Sequence, residues 1–277
     1  MMIALALLLA AAPDAGTTTC GPAPCEAFKT ARAAFDRVLQ RSPVVLAVGE
    51  YHELEGGPKV KSAISRFTHE LLPALQGKAT SLVLETWMTN GRCGEVEKAA
   101  VAEVKKVTRR PETTEDEVAT LMDKAYAQGI ANHILLVDCD EYKAMLDDKG
   151  GLDAEKSLLL VRRKVEEKAL EVREKKEGGL PGKVLILYGG ALHNDLEPLE
   201  GWESYSFGPS LSKAIDGGYV ELDLVVPELG ANDDDLVKEK WFVPALKLAG
   251  TRLTVLVALH PDVYVIVFPR KKTSQGK

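Results

Sequence analysis

The sequence predicts an α/β fold: a mostly parallel central sheet with helices on both faces, its antiparallel C-terminal strands extending or capping it. Three observations carry this. Four short apolar segments alternate with helix-like segments over the first 190 residues. Such alternation implies strands joined by helical crossovers, hence a parallel sheet. The later strands follow one another without helices of similar length, and the last two meet at a tight turn. The chain has 277 residues, of which 45% are hydrophobic, and a net charge of −6. That is an ordinary globular composition, long enough for one large domain.

The N-terminus differs in character. Residues 1–15 contain an apolar run, Ile3 to Ala12, closed by small residues, and read as a signal peptide, although no Lys or Arg precedes the run. Residues 16–24 read as a flexible linker. This predicts an exported protein, periplasmic or extracellular. Four cysteines (Cys20, Cys25, Cys93 and Cys139) suit that setting and allow three pairings. Cys93 and Cys139 follow neighbouring strands in this reading, so they are placed to bridge.

Residues 25–270 are expected to form a single domain, with 271–277 a disordered tail. Residues 25–40 carry Phe28, Ala31, Phe35, Val38 and Leu39 at helical spacing, and Pro43 ends that helix. Val44–Val48 is the first strand. A helix follows from Lys59 to Leu75. Ser81–Glu85 is the second strand. Helices are expected over Glu95–Val107 and Glu115–Gln128, the latter opened by a Thr114/Glu117 capping box. Ile134–Val137 is the third strand, ending in Asp138-Cys139-Asp140. Asp153–Glu177 alternates acid and base and reads as a solvated helix. Lys183–Tyr188 is the fourth strand and runs into Gly189-Gly190-Ala191-Leu192-His193. Ser204–Phe207, Val220–Val226, Leu253–Leu259 and Val263–Phe268 read as further strands, the last two as a hairpin around His260-Pro261-Asp262.

The four strand ends carry the chemistry. They deliver Glu50 and His52, then Glu85, then Asp138, then His193. In open α/β sheets ligands bind beyond the carboxyl ends of the strands. Parallel strands therefore bring these side chains to one rim. Carboxylates and imidazoles at the end of buried strands are costly to place, which favours a site over a core. His52 and His193 can ligate metal or carry protons near neutral pH. Glu50 and Glu85 can ligate metal, orient an imidazole or act as a base on water. The Gly189-Gly190 pair allows close backbone approach to a ligand.

Other chemistries are disfavoured. The sequence has no Gly-x-Ser-x-Gly elbow. Cys139 lies between two aspartates, which raise a thiol's pKa. No phosphate-binding glycine loop is present. The acidic balance argues against a nucleic-acid partner, and no apolar run reaches the roughly 18 to 20 residues of a membrane span. His69, His133 and His260 read as core or surface histidines. Trp87 reads as pocket wall or core.

Gly49-Glu50-Tyr51-His52, the strand-end Leu84-Glu85 and Gly190-Ala191-Leu192-His193 resemble the superfamily that joins erythromycin esterase, the ChaN haem-binding uptake proteins, the TraB/PrgY proteins and the Tiki proteases. The single residue between Glu50 and His52 is most similar to the ChaN-like pattern. The resemblance covers about residues 44 to 195. It implies that Glu50, His52, Glu85 and His193 line the site, joined by Asp138. It implies hydrolysis of an ester or peptide bond in a small-molecule or peptide substrate, with a divalent metal held by His52, His193, Glu50 and Glu85 as one option. The ChaN likeness implies instead a haem or iron binder with Tyr51 or His52 as axial ligand. A scaffold domain without chemistry is the third reading. The chain lacks the longer Gly-Glu-x-x-His spacing of the esterases, and its next histidine after His52 is His69.

Overall fold

A computed structural model describes residues 18–175, 183–231 and 233–271. The segment read as a signal peptide, and residues 272–277 of the expected tail, lie outside the described residues. Among the described residues no helix is long and apolar enough to cross a membrane.

The chain begins with a hairpin of β1 (Thr18–Cys20) and β2 (Ala23–Phe28), closed by a Cys20–Cys25 disulfide. This corrects two expectations. Residues 18–24 are sheet rather than linker, and residues 25–28 are strand rather than helix. Cys25 to Phe28 pair with a C-terminal strand, so tertiary pairing overrides the local helical spacing. Helix α1 then spans Ala31–Leu39, capped by Thr30, whose hydroxyl accepts from Ala33 N at 3.2 Å.

Strand β3 (Val45–Glu50) is buried at all six positions. Helix α2 (Ala63–Arg66) starts four residues later than expected, where Ser62 caps it, and continues through a π turn (Phe67–Leu71) and a 3-10 turn (Leu72–Leu75). Strand β4 is Ala79–Trp87; α3 is Glu95–Thr108 and α4 is Thr113–Ala127. The expected Thr114/Glu117 capping box does not form: Glu112 takes the N-cap position without a side-chain bond, and Glu117 accepts from Ser62 Oγ at 2.7 Å.

Strand β5 is Ala131–Leu135, three residues earlier than expected. It forms the sheet edge and pairs with β4 alone, so the apolar Leu136 and Val137 extend beyond it. Helix α5 (Cys139–Ala144), α6 (Ala154–Glu174), strand β6 (Val184–Gly190) and the single turn α7 (Ala191–Asn194) follow. Glu203–Tyr205 is a 3-10 turn where a strand was expected. The chain closes with α8 (Gly208–Ala214), β7 (Tyr219–Val225), α9 (Pro227–Gly230), α10 (Asp234–Lys238), α11 (Phe242–Ala249), β8 (Thr254–His260) and β9 (Val263–Val267).

One sheet runs in the order β1-β2-β8-β9-β7-β3-β6-β4-β5. From β9 to β5 the pairings are parallel; β1, β2 and β8 join antiparallel. The C-terminal hairpin therefore extends the sheet. The core follows the pleat of β3. Leu46 and Val48 enter one cluster with Phe35, Phe67, Leu71 and Tyr188. Val45 and Ala47 enter another with Val161, Val165 and Ala169 of α6.

A second disulfide joins Cys93, after β4, to Cys139 at the start of α5, across 46 residues. Constraining a loop of that length in the unfolded chain stabilises the fold by about 4 kcal/mol. The Cys93→Ala/Cys139→Ala double variant is expected to lose that much in equilibrium urea unfolding, and an unchanged midpoint would show the bridge to be energetically idle.

Candidate active site

The site is built where β3, β4 and β6 end. Strand β3 reaches the rim because its Gly49 carries no side chain. A Cβ there would lie 2.6 Å from Asn194 Oδ1 and 2.7 Å from the Ala191 Cα, so α7 packs directly on the strand. The next residue, Glu50, turns to the opposite side of the strand and is only 8% exposed. Its two oxygens have separate partners. Tyr188 donates its hydroxyl to Oε2 at 2.6 Å, and His52 Nδ1 lies 3.1 Å from Oε1. Burial pushes the Glu50 carboxyl up, but bonding to His52, the charges of His52 and Arg110 and the Tyr188 hydroxyl outweigh it, so it sits below the usual carboxylate range. Burial, with the Glu50 charge beside it, holds the Tyr188 phenol well above its ordinary value.

A carboxylate only accepts, so His52 donates from Nδ1 and leaves Nε2 as the accepting nitrogen. Nε2 lies 3.0 Å from the point a Gly190 side chain would fill, and Glu85 Oε2 lies 3.7 Å from the same point. His52 and Glu85 thus face one another across Gly190. Glu85 Oε2 also accepts from Gly190 N at 2.7 Å. A side chain on Gly189 would collide with the Glu85 carboxylate, which explains the paired glycines.

His193 stands in α7 and is 4% exposed. Its Nδ1 lies 2.8 Å from the Tyr205 carbonyl. A carbonyl accepts, so Nδ1 carries the proton and Nε2 faces Glu85, whose Oε1 is 4.0 Å away. Each histidine is therefore held at Nδ1, one by a carboxylate and one by a backbone carbonyl.

Two expected members lie elsewhere. Asp138 caps α5: its carboxylate accepts from Glu141 N, and Glu141 accepts from Asp138 N, both at 2.9 Å. Because β5 ends at Leu135, Asp138 opens the next helix instead of closing the strand. Tyr51 packs against the cluster of Cys20, Cys25, Trp241 and Phe242, away from His52. Burial, together with the charges of Asp223, Asp233, Glu221 and Asp195, holds its phenol well above the usual range. Of the other histidines, His69 donates from Nδ1 to the Ser65 carbonyl at 2.7 Å, His133 lies within β5, and His260 pairs at the surface with Glu197 at 3.5 Å.

Three site members were not singled out from the sequence. Tyr188 follows the β6 pleat onto the side of Glu50. Arg110 enters from the connection between α3 and α4. Its Nη2 contacts Nδ1 of His52 at 2.9 Å and Nε2 more closely still, and its Nη1 is 3.9 Å from Glu50 Oε1. Glu117 lines a small, partly open pocket with Glu50, His52, Glu53, Ser62 and Arg110. A second small pocket is lined by Glu50, Glu85, Arg110, Tyr188 and Gly189 among others.

This arrangement does not suit a metal. Among the described residues no three His, Cys, Asp or Glu side chains are placed to hold one, and the Arg110 cation already lies where a metal on Glu50 and His52 would sit. Of the two residues named as alternative haem ligands, Tyr51 packs into the Cys20–Trp241 cluster and His52 lies at the rim. What the arrangement offers is the His52 imidazole, the Glu50 and Glu85 carboxylates and the Arg110 guanidinium at the pocket walls, with the buried His193 imidazole 4.0 Å from Glu85.

No family model matches the chain, and no curated protein matches it. Among solved structures it is similar to the type III effector HopBA1, at 12% identity and a TM-score of 0.44, covering 94% of this chain and 99% of that one. It is also similar to a protein from Bacillus cereus, at 10% identity and a TM-score of 0.40, covering 93% of this chain and 95% of that one. Both likenesses are too distant to bear on function.

Proposed function

We propose that the chain is an exported hydrolase acting on an ester or peptide bond by acid–base chemistry. The observation that carries this reading is the gap over Gly190, with the Glu50–His52 pair on one side and Glu85 with His193 on the other. Glu50 fixes the His52 tautomer, and Nε2 takes a proton from water. His193, held by the Tyr205 carbonyl and balanced by Glu85, gives a proton to the leaving group. Tyr188 anchors Glu50 and so positions the base. The resemblance to the esterase and Tiki families points the same way.

Export is supported by the cysteines, all four of which are in disulfides, the usual state in an oxidising compartment. The alternation of β3 side chains between two helix-bearing clusters supports helical cover on both sheet faces. A panel of 4-nitrophenyl esters and fluorogenic peptides tests the activity. Wild type is expected to cleave at least one class, with a bell-shaped pH dependence set by one base and one acid. Blank results across both classes would sink the reading.

A further inference from the structure

The geometry points to Arg110 as a catalytic residue, its guanidinium holding the oxyanion that forms on the carbonyl oxygen of the substrate. This rests on the hydrolase reading.

Arg110 is not needed to hydrogen-bond Glu50. Glu50 already has Tyr188 at 2.6 Å and His52 at 3.1 Å. Arg110 stands 3.9 Å from it, beyond hydrogen-bond range. Its close contact is with the reactive ring of His52, on both nitrogens. Nδ1 donates to Glu50, so the nitrogen able to accept from Arg110 is Nε2. In the free protein a guanidinium N–H therefore occupies the lone pair that must take a proton from water. That donor has to be released for the base to work, and it then stands beside the attacked carbon.

The position is built. Arg109 holds a left-handed backbone at φ 48°, and its carbonyl accepts from Glu55 N at 2.7 Å, tying this connection to the loop that follows β3. The Arg110 side chain remains 27% exposed, so it has room to move. It also lines both pockets, together with Glu50 and Ile64. It stands beside the His52 ring and 3.9 Å from Glu50, at the wall the two pockets share.

The step balances. His52 Nε2 takes one proton from water. The resulting hydroxide oxygen bonds the carbonyl carbon, and the carbonyl π pair moves onto oxygen, where Arg110 N–H groups receive it. The pair returns as the bond to the leaving oxygen or nitrogen breaks, and that atom takes a proton from Nε2 of His193, which enters the cycle carrying one there besides the Nδ1 proton held by Tyr205. The proton left on His52 returns to His193 through solvent. A donor of this kind acts mainly on the transition state, so its loss lowers kcat more than it raises KM.

Two readouts test the assignment, with folding checked by circular dichroism on Arg110→Met and Arg110→Lys. The first is calorimetric binding of phenylphosphonate, a tetrahedral anion of transition-state shape. Wild type should bind it, Arg110→Met at least tenfold more weakly on the order expected for a lost charged hydrogen bond, and Arg110→Lys in between. The second uses an ester that wild type cleaves. Arg110→Met should lose about 10²–10³ in kcat, the usual cost of an oxyanion donor, with KM little changed. Added guanidinium ion should restore part of that activity in Arg110→Met and none in His52→Ala. Phosphonate binding absent in wild type or equal in Arg110→Met overturns the proposal, as does an unchanged kcat in Arg110→Met, which leaves the hydrolase reading standing. Phosphonate held through Arg110 with no ester or peptide cleaved overturns the hydrolase reading, and the catalytic role falls with it.

Discussion

His52→Ala is expected to lower the turnover of any ester or peptide the chain cleaves by about 10²–10⁴-fold, the usual contribution of a positioned general base. Stability should hardly change. His52 is 30% exposed at its side chain, and its partner Glu50 keeps the Tyr188 hydroxyl and the Arg110 charge. Glu50→Ala should behave differently. It removes the acceptor of the buried Tyr188 hydroxyl, and leaving such a group unpaired costs about 1–3 kcal/mol. The pair of variants separates a working site from a structural ion network, because a network would lose stability at both positions. Kinetics beside urea unfolding would show it. A His52→Ala protein with wild-type turnover, or one as unstable as Glu50→Ala, would remove His52 from the base role.

The second large effect lies across the sheet from the site. Asp223 and Glu221 of β7 are buried beside Asn194 and Tyr219. Asn194 donates to Asp223 Oδ1 at 3.1 Å, while its own Oδ1 is buried without a partner. Leu196 N donates to Glu221 at 2.5 Å. Burial drives both carboxyls up, helped by neighbouring negative charge, and Asp223 reaches about 7 from an ordinary 3.8. The folded state therefore keeps a proton that the unfolded chain releases from about pH 4 upward. Where the native state binds more protons, stability falls as pH rises. The contribution is intact below about pH 4, declines between about pH 4 and 7, and is gone above that. A shift of this size corresponds to as much as about 4 kcal/mol. Stability is thus expected to be higher at pH 5 than at pH 8. Asp223→Asn should raise stability at pH 8, since a neutral amide sits there without ionising and can donate to the idle Asn194 oxygen. Adding Glu221→Gln should flatten the remaining slope. Urea unfolding between pH 5 and 8 reads both, and a wild-type profile that rises with pH would refute the account.

Much of the site was legible in the sequence because its members end strands. Glu50, Glu85 and His193 follow apolar runs whose burial is forced, and a strand's direction fixes where its last side chain goes. Asp138 follows an apolar run too, yet the structure gives it to a helix. β5 is an edge strand whose register is set by β4 alone, and nothing local distinguished Ala131–Leu135 from Ile134–Val137. Arg110 left no mark: it lies next to Pro111 between two polar helices, and its meeting with His52 spans 58 residues of chain. Val-Glu-Leu-Asp-Leu-Val in β7 reads locally as a strand with one wet face. The structure buries every position of it, because β3 and β9 flank it and α7 and α8 pack nearby.

The sequence by itself determined that the chain is an α/β protein with a mostly parallel sheet, and that carboxylates and imidazoles gather at the ends of its strands. Hydrophobic runs and glycine punctuation are local, so they survive without a fold. Tertiary structure alone decided that His52 meets Arg110 as well as Glu50, that Tyr51 turns away from the rim, and that Asp223 is starved of water. Those outcomes depend on which distant segments share a few ångströms, and no spacing along the chain encodes that.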